Sequence, residues 1–565
     1  MDAKITELYD DWRNKAKGDP DIEKELSDMA GNDEAMEDAF YRNLEFGTGG
    51  LRGVIGAGTN RINIHTIGRA SQGLANYVNQ SFPEGKRSIA VSYDSRIKSD
   101  LFSKIAAGVF AANGIKVYIY PQLMPVPCLS FATRELKCSA GVMVTASHNP
   151  SKYNGYKVYG ADGCQITTLA AEKILNEIES LDYFSDVKRD DFDEALAAGK
   201  IEYISEDVYT AFTEKVKACS VLGDEKINKD IAIVYSPLNG SGLKPVLRTL
   251  KESGYTNVTV VKEQENPDGN FPTCPYPNPE IREAMELGIK YAKENNADIL
   301  IATDPDCDRV GIAVCDEKSE GGYRLFSGNE VGILLLDYIC ARRIENGTMP
   351  EDPVLIKTIV SIDLADRIAE SYGVRTVNVL TGFKFIGEQI GLLEEKGRED
   401  SYIFGFEESY GYLSGTYVRD KDAVNGVFMI CEMFAYYASK GISLTQKLDE
   451  IFRKFGYCLN TLYSYQFEGS AGFEKMKEIM ADFRGDATSF GGKDVTQTLD
   501  YSKGLDGLPK SDVLKYKLAG DCSVVVRPSG TEPKLKTYIS VSAPDEAGAR
   551  AAEKIICEDL AKRMK

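Results

Sequence analysis

The sequence predicts an α/β protein of several domains that closes in a smaller α+β domain. Three observations support this. The chain has 565 residues, and at roughly 100–200 residues per domain that length suits about three to five domains. A unit of short apolar run, polar or Gly-rich turn and helical pattern recurs along it, as expected of strands alternating with helices in parallel or mixed sheets. Beyond Ser443 the pattern changes: a Gly-rich linker around residues 485–492 precedes apolar runs near Val524 and Tyr538.

Residues 1–40 place Ile5, Leu8, Tyr9 and Trp12 at helical spacing. They are expected to form a helical extension packed on the first domain. Four short apolar runs then each end in a polar cluster. Residues 88–92 lead into Tyr-Asp-Ser-Arg, 141–144 into Thr-Ala-Ser-His-Asn-Pro, 299–302 into Thr-Asp-Pro-Asp-Cys-Asp-Arg, and 401–404 into Gly-Phe-Glu-Glu-Ser-Tyr-Gly. Ligands of α/β sheets gather at the carboxyl ends of strands, so the clusters imply domains that each contribute one loop to a shared cleft. With boundaries near Glu206, Glu320 and Ser443, the expected division is an extension at 1–40 and domains at 41–205, 206–319, 320–442 and 443–565.

Composition limits the function. Apolar residues make up 43% and charged residues 27%, which is ordinary for a folded chain. With 86 acidic against 67 basic residues the net charge is -19, which disfavours non-specific nucleic-acid binding. An anionic substrate remains compatible with a local cluster of Arg, Lys and backbone N–H groups. Twelve cysteines are scattered without paired CxxC spacing and read as reduced thiols. The first twenty residues lack the apolar core of a signal peptide. No apolar run approaches the ~20 residues that span a bilayer. The expectation is a cytoplasmic protein with neither a nucleic-acid nor a membrane partner.

Asp304, Asp306 and Asp308 alternate, so in an extended segment their carboxylates share one face, with Cys307 turned away. Clustered carboxylates repel one another unless a hard cation joins them, and oxygen-only ligation favours Mg2+. A charged surface turn would show the same residues; the apolar strand upstream and Arg309 downstream favour the metal. The Gly and distal Glu of an EF-hand are missing.

Ser147 ends a strand, either as a turn residue bonded to local backbone or as a hydroxyl that carries a phosphoryl group beside a Mg2+ site. The chain has two histidines, His65 and His148. A hydrolase triad would need the distant His65 or His148, which adjoins the serine, and adjacency is poor geometry because neighbouring side chains on a strand point to opposite faces. Arg527-Pro-Ser-Gly-Thr-Glu-Pro-Lys534 offers the hydroxyls, backbone N–H groups and cations that a phosphate needs, or is a surface turn. Carboxylates in the Glu407 cluster suit sugar hydroxyls, or form an exposed turn. Gly47-Thr-Gly-Gly-Leu-Arg-Gly53 matches no dinucleotide fingerprint, and no Walker A sequence occurs. Together the clusters describe phosphoryl transfer on a sugar phosphate.

These motifs, in this order from about Tyr41 to the C-terminus, resemble the α-D-phosphohexomutase superfamily, closest to its bacterial-type phosphoglucomutases. The resemblance implies a heart-shaped fold of four domains, three similar and the fourth distinct. It implies an isomerase that interconverts glucose 1-phosphate and glucose 6-phosphate through a phosphoserine enzyme and a glucose 1,6-bisphosphate intermediate, with Mg2+. Pentose- or mannose-phosphate mutases and a metal-dependent sugar phosphatase are the alternatives.

By motif, Ser147 stands as the phosphoserine and Asp304, Asp306 and Asp308 as Mg2+ ligands completed by a phosphoserine oxygen. Lys157 stands as a general acid/base, with Arg52 and Arg309 near the transferring phosphate and able to lower its pKa. Ser147, His148, Lys157 and Arg52 form the candidate catalytic set. Glu407 and Ser409 would read sugar hydroxyls. Thr381, Gly382, Lys384 and Lys421 would contact substrate, and Arg527, Ser529, Gly530 and Thr531 would hold its non-reacting phosphate. Pro305 and Cys307 replace the glycines common in the metal loop. Tyr410-Gly-Tyr412 departs from the mannose-type Ser-Gly-His. The oligomeric state, monomer or dimer, stays open.

Overall fold

Three short helices, Ala3–Lys15, Pro20–Asp28 and Asn32-capped Asp33–Phe40, begin the chain in the computed structural model. Asp2, Asp19 and Asn32 cap them by accepting a backbone N–H, and Pro20 opens the second at a position where no N–H is needed. Their apolar faces carry Ile5, Tyr9, Trp12, Leu26 and Phe40 into the same core as Ile64, Ile89 and Val142. Trp12 meets Phe40, His65, Tyr183 and Phe184 edge-on. The extension is thus part of the first core. The structure describes residues 2–47, 49–316, 318–467, 469–485, 487–505, 507–529 and 534–564.

Among the described residues, four sheets form. The first runs in the order Phe46–Gly47, Gly50–Val54, Tyr153–Gly160, Ala140–Val144, Ser88–Tyr93, Lys116–Ile119, Ile201–Tyr203. Ala140–Val144 pairs parallel with Ser88–Tyr93 and antiparallel with Tyr153–Gly160. The second repeats this plan: Ile299–Thr303 lies parallel to Ile233–Ser236 and antiparallel to Val310–Cys315. In the third, Tyr402–Glu407 and Arg375–Val379 flank Val354–Thr358 in parallel. The strands at 140–144, 299–303 and 354–358 are buried throughout, because helices cover both faces of such sheets. Ser147, Asp304 and Glu407 come at or just after the carboxyl ends of the equivalent strands in the three sheets. Glu407 closes its strand rather than lying in the loop beyond it.

The fourth sheet is antiparallel, in the order Tyr457–Gln466, Lys534–Ala543, Cys522–Pro528, Leu514–Leu518, Lys493–Asp500, Ser489–Phe490. Helix Glu546–Arg563 packs on it through Ala549, Ile556 and Leu560. The glycine-rich stretch read as a linker lies inside this sheet. Strand Tyr457–Gln466 precedes it, and Gly491 and Gly492 take φ of 55° and 77° to turn the short hairpin 489–494. Gly491 and Gly492 thus serve a tight turn within the sheet.

The chain divides into two compact units. One holds residues 1–326, 386–400 and 411–435; the other holds 327–385, 401–410 and 436–565. The serine and the three aspartates belong to the first, and Glu407 and Arg527 to the second. No helix among the described residues is long and apolar enough to cross a membrane, and all twelve cysteines are free.

Candidate active site

Ser147 takes φ 52°. That left-handed conformation is uncommon for a residue with a Cβ, and the surrounding structure holds it there. The Ser147 N–H donates to Thr145 Oγ1 at 2.8 Å, and the Asn149 N–H closes a turn on Ala146 O at 3.1 Å. The buried guanidinium of Arg96 donates to the carbonyl oxygens of Ser147 and Asn149, and to those of Pro150 and Tyr153 at 3.0 Å each. Gly155, on the neighbouring strand, lets the Thr145 backbone approach: a Cβ there would meet Thr145 O at 2.5 Å. The strand geometry expected to separate Ser147 from His148 does not apply on this turn. Their side chains touch, Ser147 Oγ to His148 Nδ1, at 3.2 Å.

The aspartate segment is likewise a turn rather than an extended strand. Cys307 takes φ 50°, its N–H donates to Asp304 O at 2.9 Å, and its side chain is buried. Convergence therefore comes from chain reversal, not from alternation along a strand. The three carboxylates offer oxygens within 4.8 Å of one another, all buried.

Asp304 Oδ1 accepts the N–H groups of Asp308 and Arg309 at 3.1 and 2.9 Å, and its Oδ2 accepts the Ser147 hydroxyl at 3.0 Å. Asp306 Oδ2 accepts from Lys157 Nζ at 2.8 Å and lies 3.2 Å from Thr145 Oγ1, whose hydroxyl donates to Asp94 Oδ2 at 2.6 Å. Asp308 Oδ2 pairs with Lys421 Nζ at 2.9 Å and Lys157 Nζ at 3.5 Å. Asp306 Oδ1 and Asp308 Oδ1 are buried with no hydrogen-bond donor.

The electrostatics follow from this crowding. Burial pushes Asp304 well above the usual carboxylate range, and the charges of Asp306 and Asp308 add to the effect. For Asp306 the burial cost is outweighed by Lys157, which holds the carboxyl below that range. Lys157 shows the converse: burial disfavours its charge, yet Asp306 and Asp308 hold the ammonium above the usual lysine range. Among its neighbouring charges the one that opposes the ammonium is Lys421 rather than an arginine. Arg309 instead grips Glu280, with its Nε 3.8 Å from Asp308 Oδ1. Arg52 reaches Asn149 Oδ1 at 3.3 Å. Burial, then the charges of Arg309 and Arg52, push His148 far below the ordinary histidine range and keep its imidazole neutral.

The second unit has its own polar group. Glu407 is buried, and its Oε1 accepts the Gly382 N–H at 3.0 Å, where Gly382 takes φ 114°. The Thr358 hydroxyl donates to Glu408 Oε2 at 3.1 Å. Arg527 Nη2 donates to Tyr538 Oη at 3.0 Å, and Ser529 N–H to Lys534 O at 2.7 Å. Thr381 and Ser409 flank these groups half-buried, and Lys384 Nζ sits 5.2 Å from the Phe385 ring centre. Gly530 and Thr531 lie outside the described residues.

Sequence reasoning missed Arg96, the hub role of Thr145, and Asp420, which lies 2.8 Å from Tyr159 Oη and 3.4 Å from Lys421 Nζ. The Tyr-Asp-Ser-Arg cluster was the available signal for Arg96; nothing local marks the others.

A hydroxyl set against a buried, cation-seeking carboxylate trio, on repeated α/β sheets, defines the class. The chain belongs to the phosphoglucomutase/phosphomannomutase family. Its alpha/beta/alpha domains I, II and III match residues 43–184, 210–318 and 327–455, and its C-terminal domain matches 489–557. The phosphoglucomutase of Staphylococcus saprophyticus is 36% identical over 524 residues, covering 90% of this chain and 92% of that one. That of Staphylococcus aureus RF122 is 36% identical over 522 residues with the same coverage. Among solved structures, the open form of parafusin (phosphoglucomutase) from Paramecium matches with TM-score 0.70 at 18% identity, over 92% of this chain and 95% of that chain. A Burkholderia thailandensis member of the family matches with TM-score 0.68 at 18% identity, over 92% and 97%. These two structures establish the fold.

Proposed function

We propose that the chain is a phosphoglucomutase, interconverting glucose 1-phosphate and glucose 6-phosphate through phosphorylated Ser147 and glucose 1,6-bisphosphate. The observation that carries this reading is the 3.0 Å contact of Ser147 Oγ with Asp304 Oδ2, beside two buried carboxylate oxygens that lack a donor. Those orphaned oxygens fit a hard divalent cation. Asp304, Asp306, Asp308 and a Ser147 phosphoryl oxygen would hold Mg2+, which when bound neutralises charge on the transferring group.

The chain's own residues carry the rest. In the first half-reaction the Ser147 Oγ–phosphorus bond breaks, a sugar oxygen takes the phosphoryl group, and the proton of that sugar hydroxyl passes to the departing Ser147 Oγ, which returns as a hydroxyl. In the second, Ser147 Oγ attacks the other phosphate of the bisphosphate, the bond from that phosphorus to the sugar oxygen breaks, and the serine's proton passes to that oxygen, with neutral His148 Nδ1 3.2 Å from Oγ. Lys157 enters as an ammonium and supports the oxygen that leaves. Arg96 and Thr145 hold the serine's backbone. Glu407 and Ser409 would read hydroxyls, and Arg527 and Ser529 the distal phosphate. Thr381, Gly382, Lys384 and Lys421 would complete the contacts.

The test is turnover of glucose 1-phosphate with Mg2+, combined with mass mapping of Ser147. Stoichiometric release of inorganic phosphate would mark a phosphatase instead. A higher kcat/KM on mannose or pentose phosphates would reassign the sugar.

A further inference from the structure

The N-terminal extension precedes the matched family domains, which begin at residue 43, and the reaction above does not use it. Asp19 caps the helix Pro20–Asp28, with its Oδ1 accepting the Asp21 N–H at 3.1 Å. The same carboxylate takes Lys98 Nζ at 2.9 and 2.7 Å. The Asp19 side chain is 4% exposed, whereas Asp21, which also reaches Lys98 at 2.9 Å, is 80% exposed. An almost buried carboxylate needs its cation, while an exposed partner is screened by water, so Asp19 is the anchor of the trio.

Lys98 takes φ 62° and ψ 10°, directly before helix Ser99–Ala112. A side chain in that left-handed region carries an energetic penalty. Two residues upstream is Arg96, whose guanidinium gathers the carbonyl oxygens of Ser147 and Asn149. Gly269 closes the other side of the loop, where a Cβ would stand 2.4 Å from the Ile97 nitrogen. The Ile97 carbonyl accepts Asn154 Nδ2 at 3.0 Å.

We propose that the extension is a positioning element for the Ser147 loop: Asp19 holds Lys98 in its left-handed turn, and that turn fixes Arg96 against the carbonyl oxygens around Ser147. The catalytic consequence rests on the mutase reading; the geometry does not. Asp19→Asn keeps the helix cap, since Asn caps as well as Asp, but removes the charge. Lys98→Ala removes the amine and retains the Cβ penalty. Lys98→Gly removes the amine and adopts positive φ freely.

Two readouts are taken on the full-length chain: kcat and KM for glucose 1-phosphate, and amide hydrogen exchange across residues 145–155. Asp19→Asn and Lys98→Ala are expected to lower kcat about tenfold at nearly unchanged KM, and to speed exchange in that segment. Lys98→Gly combined with Asp19→Asn, which leaves no buried carboxylate without its cation, is expected to restore both. Wild-type kcat and exchange in Asp19→Asn and Lys98→Ala, even with a lower melting temperature, would overturn the proposal. So would an Asp19→Asn/Lys98→Gly protein as impaired as Lys98→Ala. If the wild-type chain does not turn over glucose 1-phosphate, the mutase reading fails, while the exchange pattern still decides the role of Asp19.

Discussion

Lys157 Nζ lies 2.8 Å from Oδ2 of Asp306, so the ammonium and a divalent cation compete for the same carboxylate. Lys157→Met should therefore tighten the apparent affinity for Mg2+ while lowering kcat by about 100-fold or more, the usual contribution of a proton-transferring or charge-stabilising side chain. A magnesium titration of initial rates at saturating glucose 1-phosphate reads both quantities. Unchanged kcat would remove the lysine from the mechanism.

Asp306 Oδ2 also lies 3.2 Å from Thr145 Oγ1, so its loss touches the serine loop as well as the carboxylate trio. Asp306→Asn is expected to retain below about 1% of activity, a loss beyond that of typical outer-shell substitutions. Excess Mg2+ should not restore it. In the wild-type protein, chelation should abolish turnover and Mg2+ should return it.

In the second unit, Tyr538 Oη accepts from Arg527 and fixes where the guanidinium lies. Tyr538→Phe keeps the ring and loses that hydrogen bond. KM for glucose 1-phosphate should rise about three- to tenfold with kcat little changed. An unaltered KM would show that Arg527 does not depend on the phenol.

Asp422 is fully buried. Burial pushes its carboxyl up to about 6 against the pull of Tyr417 and of the Asn425 and Val424 N–H groups. A folded-state pKa above the unfolded value means that the folded chain binds the proton more tightly. Its contribution to stability is present below about 3.8 and is lost as pH rises to about 6. Asp422→Asn should remove this dependence: its stability relative to wild type should increase between those pH values and level off above them, as read by thermal melts. A constant difference across that window would contradict the assignment.

Trp12 is 1% exposed and stacks edge-on against four aromatic rings of the first core. Trp12→Ala should destabilise that unit by about 3–5 kcal/mol in denaturant titration. A loss under about 1 kcal/mol would show that the extension is not integral to the core.

Some of this was written locally. Alternating strands and helices, the caps at Asp2, Asp19 and Asn32, and polar clusters at strand ends are properties of short windows, because hydrogen-bond periodicity and side-chain period act over a few residues. The three aspartates and the hydroxyl of Ser147 beside them were legible for the same reason: each motif is contiguous and chemically dense. Two positive-φ residues, Ser147 and Cys307, bend segments that alternation alone would have drawn straight.

By itself, then, the sequence determined the α/β plan, the acidic trio, the candidate nucleophile and the helical character of the first forty residues. Only the tertiary structure decided that Lys157 is held charged, that His148 is neutral and touches Ser147, and that Arg96 and Thr145 secure the serine loop. It also placed Asp19 on Lys98, 79 residues away. The physical reason is common to all of these: burial and through-space charge depend on which distant segments share a volume, and no short window of residues contains that information.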